Sequence, residues 1–200
     1  MINSALVSIT KFMVKDVSGR EFDADDIVNM LNISKDKLLR QIKYAYVTEI
    51  TKTKESITVT SGVTAVLATA IGEAVFLGSH GIKQVKVTSG AKARIIYGDN
   101  EELTDNYFYD GTKRDPVAIL KNNKIYMKPT TTSSIDVDYL DIITDIANDS
   151  ATCVINAMLH DLIIKGAVAE LLKTDNKTYE RGLAEEKIFI DEIARLNAEV

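Results

Sequence analysis

Apolar residues recur at three- and four-residue spacings through the C-terminal quarter of the chain, and this is its strongest pattern. From about Ser150, Val154, Ala157, Met158, Leu162, Ala167, Val168, Leu171 and Leu172 share one helical face. The polar run Thr174, Asp175 and Asn176 interrupts them. A second stripe follows in Tyr179, Leu183, Ile188, Phe189, Ile193 and Leu196, set among Glu185, Glu186, Lys187, Asp191, Glu192 and Arg195. The pattern predicts two antiparallel helices joined by a tight turn, each arm roughly 30–36 Å long at about 1.5 Å per residue. Such stripes must be buried, on each other and on something more. Gly166 and Ala167 suit a close helix approach, since mid-helix glycine otherwise costs about 1 kcal/mol.

The N-terminal part is also helical in pattern. Residues 4–15 predict a short amphipathic helix with Leu6, Ile9 and Met13 on one side and Val7 and Val14 nearby. Asp23 is placed to cap a helix over Asp25 to Leu31, whose acidic first turn suits the helix dipole. Ser34 is placed to cap another, running to about Ile50 and burying Leu38, Leu39, Ile42, Ala45, Tyr46 and Val47.

Between the helical ends the period changes. Ile57 to Thr60 reads as a strand. Gly62 to Gly78 is apolar except for Thr64, Thr69 and Glu73. Its 17 residues span about 25 Å as a helix, short of a hydrocarbon core near 30 Å, so a buried helix over 63–77 is expected rather than a membrane span. Ile82, Val85 and Val87 then alternate with polar residues, and Ala93, Ile95 and Tyr97 continue as a second strand. Residues 98–111 read as an acidic loop. Residues 117–121 and 124–128 flank Asn122 and Asn123, a two-residue hairpin turn. Pro129 ends the second strand. Ile135, Val137 and Tyr139 alternate with Asp136 and Asp138, which predicts a half-exposed third strand of a meander.

The expected fold is therefore α+β. The N-terminal helices (1–54) and the long C-terminal hairpin (146–200) form one helical bundle. A β-rich lobe containing the meander (55–145) is inserted between them, with connections too short to make it an independent domain.

Composition narrows the function. The chain has 200 residues, enough for one sizeable core with an appended lobe, and a net charge of −5. That sign disfavours a generic nucleic-acid binder. Charge is spread along the chain: 9 basic and 7 acidic side chains in residues 1–54, 9 and 13 in 55–149, 6 and 9 in 150–200. The single cysteine, Cys153, can form neither an internal disulfide nor a zinc site alone, and reads as a small buried apolar residue. Synthesis in an intracellular reducing compartment is expected, and the N-terminus lacks a signal-peptide pattern.

Enzyme signatures are missing. There is no phosphate-binding glycine loop, no GxGxxG and no GxSxG. His80 lies among glycines, and His160 and Asp161 are about 100° apart on a helix, so they do not face each other. Asp99, Glu101, Glu102 and Asp105 lack the spacing of a calcium loop. No catalytic residue, cofactor or metal is expected. One DNA-binding pattern does occur. Residues 26–42 resemble a helix-turn-helix with a Leu-Asn-Ile-Ser turn, whose second helix would offer Lys35, Lys37, Arg40 and Lys43 to phosphates. Asp36 and the near-neutral surroundings oppose it, and two helices joined by a short turn are ordinary bundle architecture.

Three features together resemble the head–tail connector proteins (neck, adaptor or ring) of tailed bacteriophages. They are the terminal hairpin from Leu162 through Tyr179, the run from Asp115 through Pro129 followed by Ile135 to Leu140, and the helical N-terminus leading into a β-rich middle. The overall character is similar to ring proteins of crAss-like gut phages. The Gly62 to Gly78 run departs from the pattern. The resemblance implies a virion protein at the head–tail junction, a homo-oligomeric ring, usually dodecameric, stacked under the portal. Its lumen would pass double-stranded DNA without sequence-specific binding. Portal and tail proteins would be its partners, with no membrane. Ile190, Ile193, Leu196 and Val200 are the expected docking residues.

Overall fold

The computed structural model describes residues 1–18, 21–72, 75, 77–88, 90–98, 111–141 and 143–199. The chain forms two compact units. One combines Met1–Glu49 with Thr144–Val200, and the other is Ile50–Ile143.

The first unit is helical: α1 (Asn3–Ser18), α2 (Ala24–Gln41), α4 (His160–Lys173) and α5 (Tyr179–Ala198). Ten of the fourteen residues of α4 are buried, so it is apolar nearly all round. That is the pattern of a central helix, and α1, α2 and α5 all pack on it. Asp23 caps α2, its carboxylate accepting the Asp26 N–H at 2.7 Å.

α2 corrects the sequence reading. It runs unbroken from Ala24 to Gln41, so residues 31–34 form no turn, Ser34 caps nothing and residues 26–42 are no helix-turn-helix. Ile27, Leu31, Leu38 and Leu39 lie along one buried side, and no Gly or Pro breaks the ladder between them. Asn32, which read as a turn residue, points sideways. Its amide donates to the carbonyls of Val28 (3.1 Å) and Ile146 (2.9 Å), and its oxygen accepts the Ile146 N–H at 2.9 Å. The helix also stops earlier than expected. Ile42 is extended, and single 3-10 turns (Tyr44–Tyr46, Thr48–Ile50) replace the last stretch.

The C-terminal pair is shorter than the stripe implied. Residues 150–156 are not helical. Part of this segment lies along the N-terminus, where Asn3 N–H donates to Ala151 O at 2.8 Å and Cys153 N–H to Met1 O at 3.1 Å. Val154 and Met158, expected on the buried face, are therefore 54% and 58% exposed. Asp149 accepts from Asn3 Nδ2 at 2.9 Å and from the Ala151 N–H at 3.1 Å. The arms are about 21 Å and 30 Å long. In α1 the buried side is Leu6, Val7, Thr10 and Val14, whereas Ile9 is exposed.

The second unit is a seven-stranded sheet. Its strands are β1 (Thr51–Thr60), β2 (Val63–Thr64), β3 (Ile82–Val87), β4 (Arg94–Tyr97), β5 (Val117–Lys121), β6 (Lys124–Lys128) and β7 (Ser134–Leu140). Their spatial order is β3-β7-β1-β2-β6-β5-β4, and among the described residues only β4 and β5 run parallel. After β3 the chain turns through Gly90 and lies back on β3, with Ala93 N–H donating to Val85 O at 2.8 Å. Tyr97 OH donates to Ile82 O at 2.8 Å. The two edge strands thus approach, and the sheet nearly closes on its core, as a sheet does when its edges must be protected.

Two expectations for this unit are overturned. β7 is not the third strand of a meander. It sits away from β6, between β1 and β3. Its aspartates are acceptors for those neighbours rather than a solvent face. Asp138, 2% exposed, accepts Thr53 Oγ1 at 2.6 Å and Lys86 Nζ at 3.2 Å, and Asp136 accepts Ser56 N–H at 2.9 Å. The apolar run from Gly62 is not one helix. Val63–Thr64 is a strand, and the helix α3 (Leu67–Ile71) is five residues long, ended by Gly72 at φ 81°. Among the described residues, no helix is long and apolar enough to cross a membrane. The β5–β6 hairpin turns through Asn122 and Asn123 at φ 50° and 54°.

Candidate assembly surface

Two glycines set how closely the helices of the first unit approach. A Cβ on Gly166 would stand 2.1 Å from Ser34 Oγ of α2 and 3.1 Å from Phe189 Cε2 of α5. A Cβ on Gly182 would stand 2.8 Å from the Lys173 backbone nitrogen. α5 therefore seats Gly182, Phe189 and Ile193 against its own unit. Beside that buried face, about 80° round the helix, Tyr179, Leu183 and Ile190 are 44–46% exposed, at helical spacings that put all three in one stripe.

These positions divide the expected docking residues. Ile190 is on the exposed stripe. Ile193, 1% exposed, is core, and this corrects its assignment as a docking residue: four residues from Phe189, it shares the buried face. Leu196 is half-buried, and its carbonyl accepts Tyr46 OH at 3.0 Å. Val200 lies outside the described residues, as do Asp99, Glu101, Glu102 and Asp105.

The four cations proposed for DNA have other surroundings. Lys35 is fully buried, its ammonium 2.6 Å from Asp145 and 3.7 Å from Asp36, so it cannot reach a phosphate. Lys37 holds Glu170 of α4 and, at 3.1 Å, Glu186 of α5. Lys173 closes the network at 2.9 Å and 3.0 Å from the same two carboxylates. Burial pulls the Lys37 pKa down, but its bonds to Glu170 and Glu186 outweigh this, and the net shift is upward. The bond from Lys173 holds Glu186 below its usual range. Only Arg40 and Lys43 of the four are exposed.

Sequence reasoning missed a second apolar surface. Ala5, Ile9 and Phe12 form a stripe on the outer side of α1, with the exposed Ile2 just before its first turn, and Phe12 is 72% exposed. The signal was present, because α1 has apolar residues at both helical phases, but only one of them could be assigned to a core.

His80 stacks on Tyr97 with ring centroids 4.9 Å apart. Cys153 is a free, buried thiol. Among the described residues, no group of three His, Cys, Asp or Glu side chains could hold a metal. His160 is buried with Nε2 2.9 Å from Ile155 O, the neutral ring donating. Burial, with a smaller contribution from the N-terminal charge, lowers its pKa below 6.5 and outweighs the bond to Ile155. Because the folded pKa is depressed, the stabilisation is present above pH 6.5 and is lost as pH falls through the folded pKa. Denaturation midpoints should thus fall from about pH 7 to about pH 5, and His160→Gln should flatten that dependence. An unchanged slope in the variant would remove His160 from the account.

No family model matches the chain, and no curated protein matches it.

Proposed function

We propose that the chain is a structural subunit of the neck of a tailed bacteriophage. It forms a ring between portal and tail that extends the DNA channel, so its place is the virion's head–tail junction. The observation that carries this reading is the exposed stripe Tyr179, Leu183 and Ile190. α5 is already anchored by Phe189, Ile193 and the Lys37–Glu186–Lys173 network, so a further apolar line on its outer flank serves packing outside the chain. Portal and tail proteins are the proposed neighbours. Double-stranded DNA is the cargo of the lumen, passed rather than gripped by an acidic chain.

The test is particle mass, with negative-stain images, over a concentration series of the purified chain. Closed rings of about a dozen subunits are expected. Leu183→Glu with Ile190→Glu should leave folded monomers, seen as an unchanged circular dichroism spectrum. Monomers of the unsubstituted chain at every concentration would overturn the proposal.

A further inference from the structure

The helical unit carries two different exposed apolar stripes, one on α1 and one on α5. We infer that they are the two halves of one head-to-tail contact, in which α1 of each copy packs parallel to α5 of the next. The occupant of each stripe is thus a second copy of this chain. This inference rests on the ring reading and adds the interface that would build it.

Length, register and charge support the pairing. Ile2, the residue before α1, stands about 15 Å from Phe12 along the helix axis, and Tyr179 about 16 Å from Ile190. Set parallel, Ile2 meets Tyr179, Ala5 meets Leu183 and Phe12 meets Ile190, and the three residue offsets agree to within one. The helices carry opposite charge. α1 holds Lys11, Lys15 and Asp16, a net +1. α5 holds five acidic residues against Arg181, Lys187 and Arg195, a net −2. At about 100° per residue, Lys11 and Lys15 lie on one flank of the α1 stripe, and Glu180, Lys187 and Asp191, a net −1, on the opposite-handed flank of the α5 stripe. Only a parallel arrangement joins those flanks, and in this register Asp191 falls between Lys11 and Lys15. Lys15 is within 2.6 Å of Glu21 in the same chain, an exposed pair that can exchange partners at little cost. Two unlike patches on one subunit make a heterologous contact, which closes into a ring when the rotation is right and cannot stop at an isologous dimer.

Cysteine cross-linking in a Cys153→Ser background tests the contact, alongside particle mass. Phe12→Cys with Ile190→Cys in one chain should, on oxidation, give a covalent ladder reaching the ring size, while either cysteine alone leaves uncrosslinked subunits. Lys11→Glu with Lys15→Glu should lower the oligomer fraction at least tenfold, and adding Asp191→Lys should restore part of it. Rings by mass with no ladder, or with a covalent dimer from a single cysteine, would overturn this interface and leave the ring standing. Monomeric mass at every concentration would overturn both.

Discussion

Gly166→Ala is expected to destabilise the helical unit, and Ser34→Ala to restore most of the loss. In an isolated helix the glycine-to-alanine change would gain about 1 kcal/mol. Here the new Cβ would stand 2.1 Å from Ser34 Oγ, a distance no pair of atoms tolerates, and 3.1 Å from the Phe189 ring. Ser34 is fully buried on α2, so its hydroxyl has no solvent to swing into. The helices must part, and overpacking of this kind costs about 1–3 kcal/mol. The Ser34 hydroxyl has no hydrogen-bond partner among the described residues, so Ser34→Ala alone should be neutral or mildly stabilising. In the double variant the nearest atom of residue 34 is its Cβ, 3.1 Å away, which a small adjustment accommodates. Chemical denaturation of the four proteins forms a double-mutant cycle. Additive effects would show that the α2–α4 contact does not limit this site.

Ile193→Ala should lower stability by about 2–5 kcal/mol, the usual cost of emptying a buried aliphatic site. Ile190→Ala, three residues away, should stay within about 0.5 kcal/mol, because Ile190 is 45% exposed. Assembly should show the reverse. Ile190→Ala should raise the concentration at which rings form, while Ile193→Ala, studied where it is still folded, should leave it unchanged. Equal denaturation midpoints for the two variants would mean that α5 is not seated by Phe189 and Ile193. A loss of assembly from Ile193→Ala under folded conditions would place the docking face on the other side of the helix.

Local chemistry made much of the helical unit legible. Asp23 and the acidic turn after it mark where α2 begins, since a carboxylate near the exposed N–H groups is favourable in any tertiary setting. The Leu162 to Leu172 stripe fixes a helix because its apolar spacing fits no other element. Gly166 reads as a close approach because the sequence gives it no turn to make. Asn122 and Asn123 read as a turn because both tolerate positive φ.

The rest depended on which residues the fold brings together. A Leu-Asn-Ile-Ser stretch is turn or helix according to what its asparagine can bond, and Asn32 bonds a segment more than a hundred residues away. Lys35 and Lys37 have the sequence appearance of phosphate contacts. They are structural because Asp145, Glu170 and Glu186 arrive beside them. The aspartates of β7 look solvated until β1 and β3 supply Thr53, Ser56 and Lys86. Periodicity says which residues share a face but not which face is buried when a helix has two apolar sides. By itself the sequence determined where α2 starts, which residues align on the helices and where one turn must lie, because those are set by neighbours in the chain. Only the tertiary structure decided that α4 is central, that Ile193 faces inward and Ile190 outward, and that α1 keeps Phe12 in solvent, because burial depends on partners distant in sequence.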